Sequence, residues 1–535
     1  MKKRIIALFL VLCLVLSGCS SYLVDIFGYQ DGPAFSEFTY TRPDVSQLDS
    51  TLEKCRQNIE SDADIEDIVL NIETFYVQYD SFYTNLNLAD IYYCLDLRDS
   101  EWEEEYNYCI GLAGEIDAKL ETLYEMLAVS QYCQELEEDY YFGTGFFEAY
   151  TGEPLLDETY IALAQEEGRL QGAYYDVFSK AGDLYSYSPE FYDTYGAELA
   201  QILVDLIRVR QQIAEHFGYE SYGEFSYESI YGREYTANQA KQYMESIGIA
   251  LTDIYDSIYY DDIWQYGEER SNTLQTFNYV SKTAEYLGGD VQKAFESMVV
   301  RELYDLTYSP YKYGNSFSVY LTDYHAPYIF VNPWYDQTDK LTFAHEFGHF
   351  ANDYICHGSY VSIDIGEIQS QGMEYFSLCC SEDEKLMQYK MADSLDVYIR
   401  QSAYGLFELE IYELEEEELT VENLIALYRQ ICENFAIVQE DWDEMEFVNI
   451  SHFYDSPMYV ISYVVSNDLA MQLYEMELNQ PETGKTIYVD MLSSEDAYIL
   501  DLADRYNLKN PFSEERLAEI KAFFGGVFEQ QSQAA

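Results

Sequence analysis

The sequence predicts a mainly helical protein with one small β-sheet, on three observations. Acidic, amphipathic segments with helical periodicity fill most of the 535 residues. One stretch differs: Ser316–Val331, SFSVYLTDYHAPYIFV, is rich in aromatic and β-branched residues and reads as two short strands. It leads into Leu341–Phe350, LTFAHEFGHF, where apolar residues return every three or four positions.

Helices are expected over Asp44–Ser61, Ile65–Asn85, Glu101–Ser130 and Asp157–Ser179, with breaks near Gly143–Gly145 and Gly152–Pro154. Others are expected over Pro189–Phe217 and Ala237–Tyr260. Beyond the strands the pattern places helices over Ile365–Cys380, Glu384–Leu414, Val421–Ala436, Met458–Leu478 and Glu514–Phe528. The segment holding LTFAHEFGHF is apolar nearly all round, through Phe343, Phe347, Phe350 and Tyr354 and flanking Leu341, Ala344, Gly348, Ala351 and Ile355, so it belongs inside the protein. Thr338 or Asp339 is placed to cap its start.

Composition excludes some functions. Against 98 acidic residues stand 29 basic ones, a formal net charge of −69, which repels nucleic acid and anionic lipid alike. The 57 tyrosines read first as packing groups with a polar tip. Cysteines are scattered without C-x-x-C spacing, and no disulfide pairing is expected.

At the N-terminus, Lys2, Lys3 and Arg4 precede an apolar run from Ile5 to Leu16, then Ser17-Gly18-Cys19. A basic region, a short apolar region and small residues describe a secretory signal, and the run is too short for a permanent membrane span. Leu-Ser-Gly-Cys resembles the lipobox of bacterial lipoproteins, which implies cleavage before Cys19, its lipidation, and a membrane anchor outside the cytoplasm. The expected organisation is a signal peptide over residues 1–18, a tether over 19–44, an N-terminal helical region over 45–195 and a catalytic region over 196–530.

Within LTFAHEFGHF, His345, Glu346 and His349 form H-E-x-x-H. Positions i and i+4 of a helix share a face, so both imidazoles can close on one zinc ion, with Glu346 beside it as general base. A hydrolytic zinc takes a third protein ligand, and Asp353, His357, Asp364, Glu367 and Glu374 follow within reach. The metzincin pattern H-E-x-x-H-x-x-G-x-x-H does not apply, because Asn352 and Ile355 stand where its glycine and third histidine belong. Glu367, Ser370 and Glu374 share one helical face, so either glutamate suits the ligand role with the other orienting the site.

H-E-F-G-H followed by E-x-x-S-x-x-x-E resembles the thimet oligopeptidase and oligoendopeptidase F family of zinc peptidases. The resemblance implies a helical zincin-type peptidase enclosing a deep cleft, one zinc ion per chain held by His345, His349 and Glu367, and short unstructured oligopeptides as substrates. It extends to RVRQQIAEHFGYESYGEF from Arg208 and to LTVENLIALY from Leu419. APYIFVN from Ala326 looks like the family strand beside bound peptide, and ISHFYDSPMYVISYV from Ile450 like its substrate-contacting segment. There His452, Tyr459 and Tyr463 are candidate donors to an oxyanion, with Tyr459 and Tyr463 expected on one helical face and Tyr454 a lesser candidate. Two departures stand out: a short interval from His349 to Glu367, and Val464-Val465-Ser466 where a glycine often follows the tyrosines. Two other readings are a helical H-E-x-x-H carboxypeptidase of the Taq type, whose second motif is also E-x-Q-S-x-x-x-E, and a peptide-binding surface lipoprotein without catalysis.

Overall fold

The computed structural model describes residues 32–532 except 140–141, 152–155, 183, 259–261, 360, 440–441, 495 and 497. The expected signal peptide, Cys19 and most of the expected tether lie outside the described residues. The described end of that tether packs on the body: Phe35 stacks on Tyr328 with ring centroids 4.2 Å apart, and Phe38 on Tyr324 at 3.9 Å.

Helices of nine residues or more are, in the first half, α1 (Ser46–Glu60), α2 (Ile65–Leu95), α3 (Ser100–Ala128), α4 (Glu158–Ala181), α5 (Ala197–His216), α6 (Ala237–Ile258), α7 (Thr273–Leu287) and α8 (Gly289–Val300). The second half adds α9 (Asp339–Cys356), α10 (Ile363–Cys379), α11 (Glu384–Asp396), α12 (Ser402–Ile411), α13 (Val421–Asn434), α14 (Ile461–Asn479), α15 (Thr483–Met491) and α16 (Glu514–Ser532). Side chains of Asp99, Asp157, Asn272, Asp383 and Thr420 accept first-turn N–H groups and so fix where α3, α4, α7, α11 and α13 begin.

The three-stranded sheet has the order β1-β3-β2, with β1 (Tyr304–Asp305) parallel to β3 (Ala326–Phe330) and β2 (Phe317–Leu321) antiparallel to it. The two expected strands are present. The Ala326 strand is central, hydrogen-bonded on both sides and buried at all five positions, and the residues that follow it in APYIFVN, Val331 and Asn332, line the larger of the two cavities described below. The open edge belongs to β2, whose Phe317 and Ser318 reach the cavities described below. A five-residue run without a polar position is the mark of a strand covered on both faces.

Helix α9 packs against β3, α7, α8 and α10, and α10 lies between α9 and α14. Phe343, Phe347 and Phe350 are fully buried, as the sequence required. The capping expectation does not hold: neither Thr338 nor Asp339 caps α9 with its side chain. Asp339 instead accepts N–H groups of Trp334 and Tyr335, each at 2.9 Å, and ties down the entry loop. At its other end α9 stops in two left-handed residues, His357 and Gly358, and a side chain at Gly358 would enter the ring of Tyr320. This tight turn is the short interval noted in the sequence.

Gly348 sets the spacing of α9 and α10. A Cβ built there would stand 2.5 Å from Ser370 Cα and 2.6 Å from the Gln369 carbonyl oxygen, both backbone atoms that cannot swing away. Gly348→Ala is therefore expected to destabilise the fold by about 1–3 kcal/mol and to loosen metal retention, checked by thermal melting and metal analysis of the same preparation.

Candidate functional site

Helical spacing puts His345 and His349 on one face of α9, their ring centroids 5.1 Å apart. The close approach at Gly348 brings Glu367 of α10 between them. Glu367 Oε2 lies 3.3 Å from His345 Nε2, and Oε1 lies 3.7 Å from His349 Nε2. One donor atom from each residue falls within 4.8 Å of the others, and this is the one such His/Cys/Asp/Glu group among the described residues. Two imidazole nitrogens and a carboxylate around an open position suit a divalent cation such as zinc.

The second glutamate occupies a different place. Glu374 Oε1 is 2.8 Å from His345 Nδ1, on the ring edge away from Glu367, and its Oε2 accepts from Lys390 Nζ at 2.6 Å. Lys390 is itself buried and also donates to Asp393 at 2.9 Å. Burial alone would raise the Glu374 carboxyl, but the Lys390 ammonium and His345 outweigh it and keep it ionised. An ionised Glu374 only accepts, so His345 donates to it from Nδ1 and turns Nε2 toward Glu367; burial works against a charge on this ring, but the two carboxylates outweigh it and push the imidazole well above its usual range. Burial pushes His349 down to about 4, which keeps its ring neutral and able to ligate. Burial also works against the charge on Glu367, yet His349, His345 and the Tyr459 hydroxyl bring its carboxyl down to about 2.

Glu346 is 6% exposed and lines both the smaller cavity, whose wall holds this group, and a larger one that meets it. Burial pushes its carboxyl up to about 7, a range in which a carboxylate can take up a proton and return it. The larger cavity, about 740 Å³, and the smaller, about 320 Å³, share Ser316, Phe317, Glu346, His452 and Tyr463 in their walls. A peptide lying along β2 would therefore pass from one to the other over Glu346.

His452, Tyr459 and Tyr463 do converge here, by a different route from the expected helix. Met458 sits at φ +65° after Pro457, so α14 begins only at Ile461 and Tyr459 precedes it. The Tyr459 ring still lies 5.3 Å from that of Tyr463 and 5.2 Å from that of His452. Tyr459 donates its hydroxyl to Glu367 Oε1, while the Tyr463 hydroxyl is 3.2 Å from His452 Nε2. Tyr454 is buried elsewhere, donating to the Leu199 carbonyl at 3.1 Å. Of the other ligand candidates, Asp364 pairs with Arg233 and accepts from Tyr235 and Ser462, His357 ends α9, and Asp353 lines the smaller cavity outside the three-residue group.

Two buried arginines, neither singled out from sequence, hold the loop that carries these groups. Arg210 of α5 donates to the carbonyls of Phe453 and Tyr454 and pairs with Glu167 at 2.6 Å. Arg233 donates to the Met458 carbonyl at 2.9 Å and to Ser462 Oγ at 2.7 Å. Arg210 lies in RVRQQIAEHFGYESYGEF, so this region bears on the site through the loop that it holds. Lys390 was missed for a similar reason: its partner lies on another helix.

Residues 233–518 match the family model for peptidase family M3, and residues 35–149 match the model for the M3 N-terminal domain. The chain belongs to peptidase family M3. Among solved structures, PZ peptidase A with a bound inhibitor superposes with a TM-score of 0.80 at 19% identity, covering 93% of this chain and 100% of the other. Two proteins provisionally named oligoendopeptidase F are similar as well. One gives a TM-score of 0.80 at 20% identity over 92% of this chain and 98% of its own; the other, from Bacillus anthracis, gives 0.77 at 18% over 94% and 100%. Among curated proteins, no sequence matches the chain. The M3 likeness thus reaches beyond Arg208–Tyr463 and includes the N-terminal helices, one of which, α2, walls the larger cavity through Asp90, Tyr93 and Cys94. As an M3 member the protein is a metallopeptidase.

Proposed function

We propose that this M3 peptidase is a zinc-dependent endopeptidase for short unstructured oligopeptides, tethered outside the cytoplasm by a lipid at Cys19. The observation that carries the enzymatic part is the junction of two cavities at Glu346, beside His345, His349 and Glu367. With the metal group in the wall of the smaller cavity and the larger one meeting it at Glu346, a substrate chain has room to run on past the metal group, which favours internal cleavage over removal of a terminal residue.

In this reading His345, His349 and Glu367 hold one zinc ion, and Glu374, with Lys390 behind it, orients His345. When bound, the ion supplies Lewis-acid chemistry, polarising a carbonyl oxygen and making water acidic enough to attack at neutral pH. Glu346 takes the proton of the attacking water on its carboxylate and delivers it to the leaving amine. The Tyr463 hydroxyl, with His452 Nε2 beside it, donates to the oxyanion that develops, and the Tyr459 hydroxyl joins it by turning from Glu367 Oε1.

A quenched fluorescent peptide blocked at both ends tests the cleavage mode. An endopeptidase cuts it internally, whereas a carboxypeptidase or a mere binding protein leaves it whole. Tyr463→Phe is expected to lower kcat by about 10²-fold with KM and melting little changed. Tyr459→Phe should lower kcat on a similar scale and also weaken zinc retention, because its hydroxyl bears on Glu367 Oε1; steady-state kinetics with metal analysis separates the two roles.

The anchor reading rests on Leu16-Ser17-Gly18-Cys19. Among the described residues no helix is long and apolar enough to cross a membrane. Cys19→Ser is expected to move the protein from the membrane to the soluble fraction; unchanged membrane association on fractionation would sink the lipid anchor.

A further inference from the structure

The larger cavity has an electrostatic character that the catalytic groups do not require. Besides Glu346 its wall carries Asp90 of α2 and Asp455, together with Tyr93, Tyr106, Tyr175 and Tyr313. No lysine or arginine lines it among the described residues. Asp455 Oδ2 accepts the Tyr175 hydroxyl at 2.6 Å, and Asp90 Oδ1 lies 3.5 Å from Cys94 Sγ, but neither carboxylate has an ion pair with a described cation. Lys312, next to Tyr313 in sequence, is engaged by other groups, donating to Asp305 and to the carbonyls of Thr307 and Val331. Two half-buried carboxylates left without a cation are unfavourable by desolvation and mutual repulsion, and a positive guest relieves both.

The guest is an organic cation rather than a metal ion. Asp90, Asp455 and Cys94 do not converge as a donor set, since His345, His349 and Glu367 form the one such group among the described residues. Tyrosine rings around a pair of carboxylates suit an alkylammonium or guanidinium, which gains from ring faces as well as from charge. The cavity opens onto Glu346, so a side chain of a peptide being cut there can extend into it.

We infer that Asp90 and Asp455, with their ring of tyrosines, form a subsite selecting lysine or arginine side chains, so that the substrates are cationic oligopeptides. This deepens the endopeptidase reading and rests on it. The net charge of −69 acts in the same direction at long range, drawing cationic peptides toward the protein.

The test uses end-blocked peptides in which one lysine is walked along a neutral sequence, with norleucine and glutamate at the same positions in matched sets. At one position flanking the cut, lysine is expected to give a kcat/KM at least about 10-fold above norleucine, with glutamate lowest. The lysine-to-norleucine ratio should survive about 0.5 M salt, which screens long-range attraction, and should collapse to within about 2-fold in Asp90→Asn/Asp455→Asn. A ratio near one in the wild type, or a ratio untouched by the double substitution, overturns the inference. Should the double variant misfold, calorimetric binding of the lysine and norleucine peptides to Glu346→Gln, and to that protein carrying Asp90→Asn or Asp455→Asn singly, decides by the same ratio. Cleavage without a preference defeats this subsite alone, whereas no cleavage of any peptide defeats the endopeptidase reading beneath it.

Discussion

Glu346→Gln is expected to reduce turnover by at least about 10²-fold while the protein keeps its zinc, its melting temperature and its affinity for peptide. The substitution keeps the shape of a buried side chain that has no ion pair among the described residues and lines both cavities, so the packing of α9 has no cause to change. What disappears is an acceptor for the proton of the attacking water. The carboxyl of Glu346, which burial holds near 7, suits both halves of the task, accepting a proton and later releasing it to the amine. Activity assay, metal analysis and calorimetry on one preparation check all three statements. Near-normal turnover would remove Glu346 from the chemistry, and loss of zinc would show that the change had disturbed the metal group instead.

The second large effect separates the two glutamates of α10. Glu367→Ala should abolish tight zinc binding, because it removes the one carboxylate that stands between His345 Nε2 and His349 Nε2. Glu374→Ala should weaken binding by about 10–100-fold, since the ligands remain and only the partner of His345 Nδ1 is lost. That variant carries a further penalty: Lys390, buried and bonded to Glu374, retains only Asp393 as counter-charge, so melting should fall as well. Competition with a chromophoric chelator measures the affinities. Stronger zinc loss from the Glu374 variant would transfer the ligand role to it.

The contrast between these glutamates shows what the sequence could and could not settle. Both lie on one face of the same helix, and periodicity treats them alike; only the helix packing at Gly348 decides which one meets the histidines. The zinc-motif helix, the two strands before it and most helix limits followed from apolar spacing. Helices α7 and α8 were not among the expected ones, although each carries apolar residues at helical spacing, Tyr279, Val280, Ala284 and Leu287 in one and Val291, Ala294, Phe295 and Met298 in the other. The two-residue β1 is too short to leave a pattern. Predicted single helices at Pro189–Phe217 and Glu384–Leu414 are present but interrupted by wider turns at Tyr192–Gly196 and Val397–Gln401. Tyr459 was expected on a helix it does not join, yet it still reaches the site, because Arg233 holds the Met458 carbonyl beside it. Arg210, Arg233 and Lys390 act through partners hundreds or tens of residues away, a relation that no local pattern encodes.

The central claim is that one zinc ion on His345, His349 and Glu367 drives internal peptide cleavage. The most direct measurement maps the products of a mixed, end-blocked peptide library by mass spectrometry, before chelation, after removal of bound metal, and after one equivalent of zinc is returned. The account predicts internal cuts that vanish with the metal and return at a stoichiometry of one zinc per chain. Cleavage that persists in protein shown to be free of metal would contradict it.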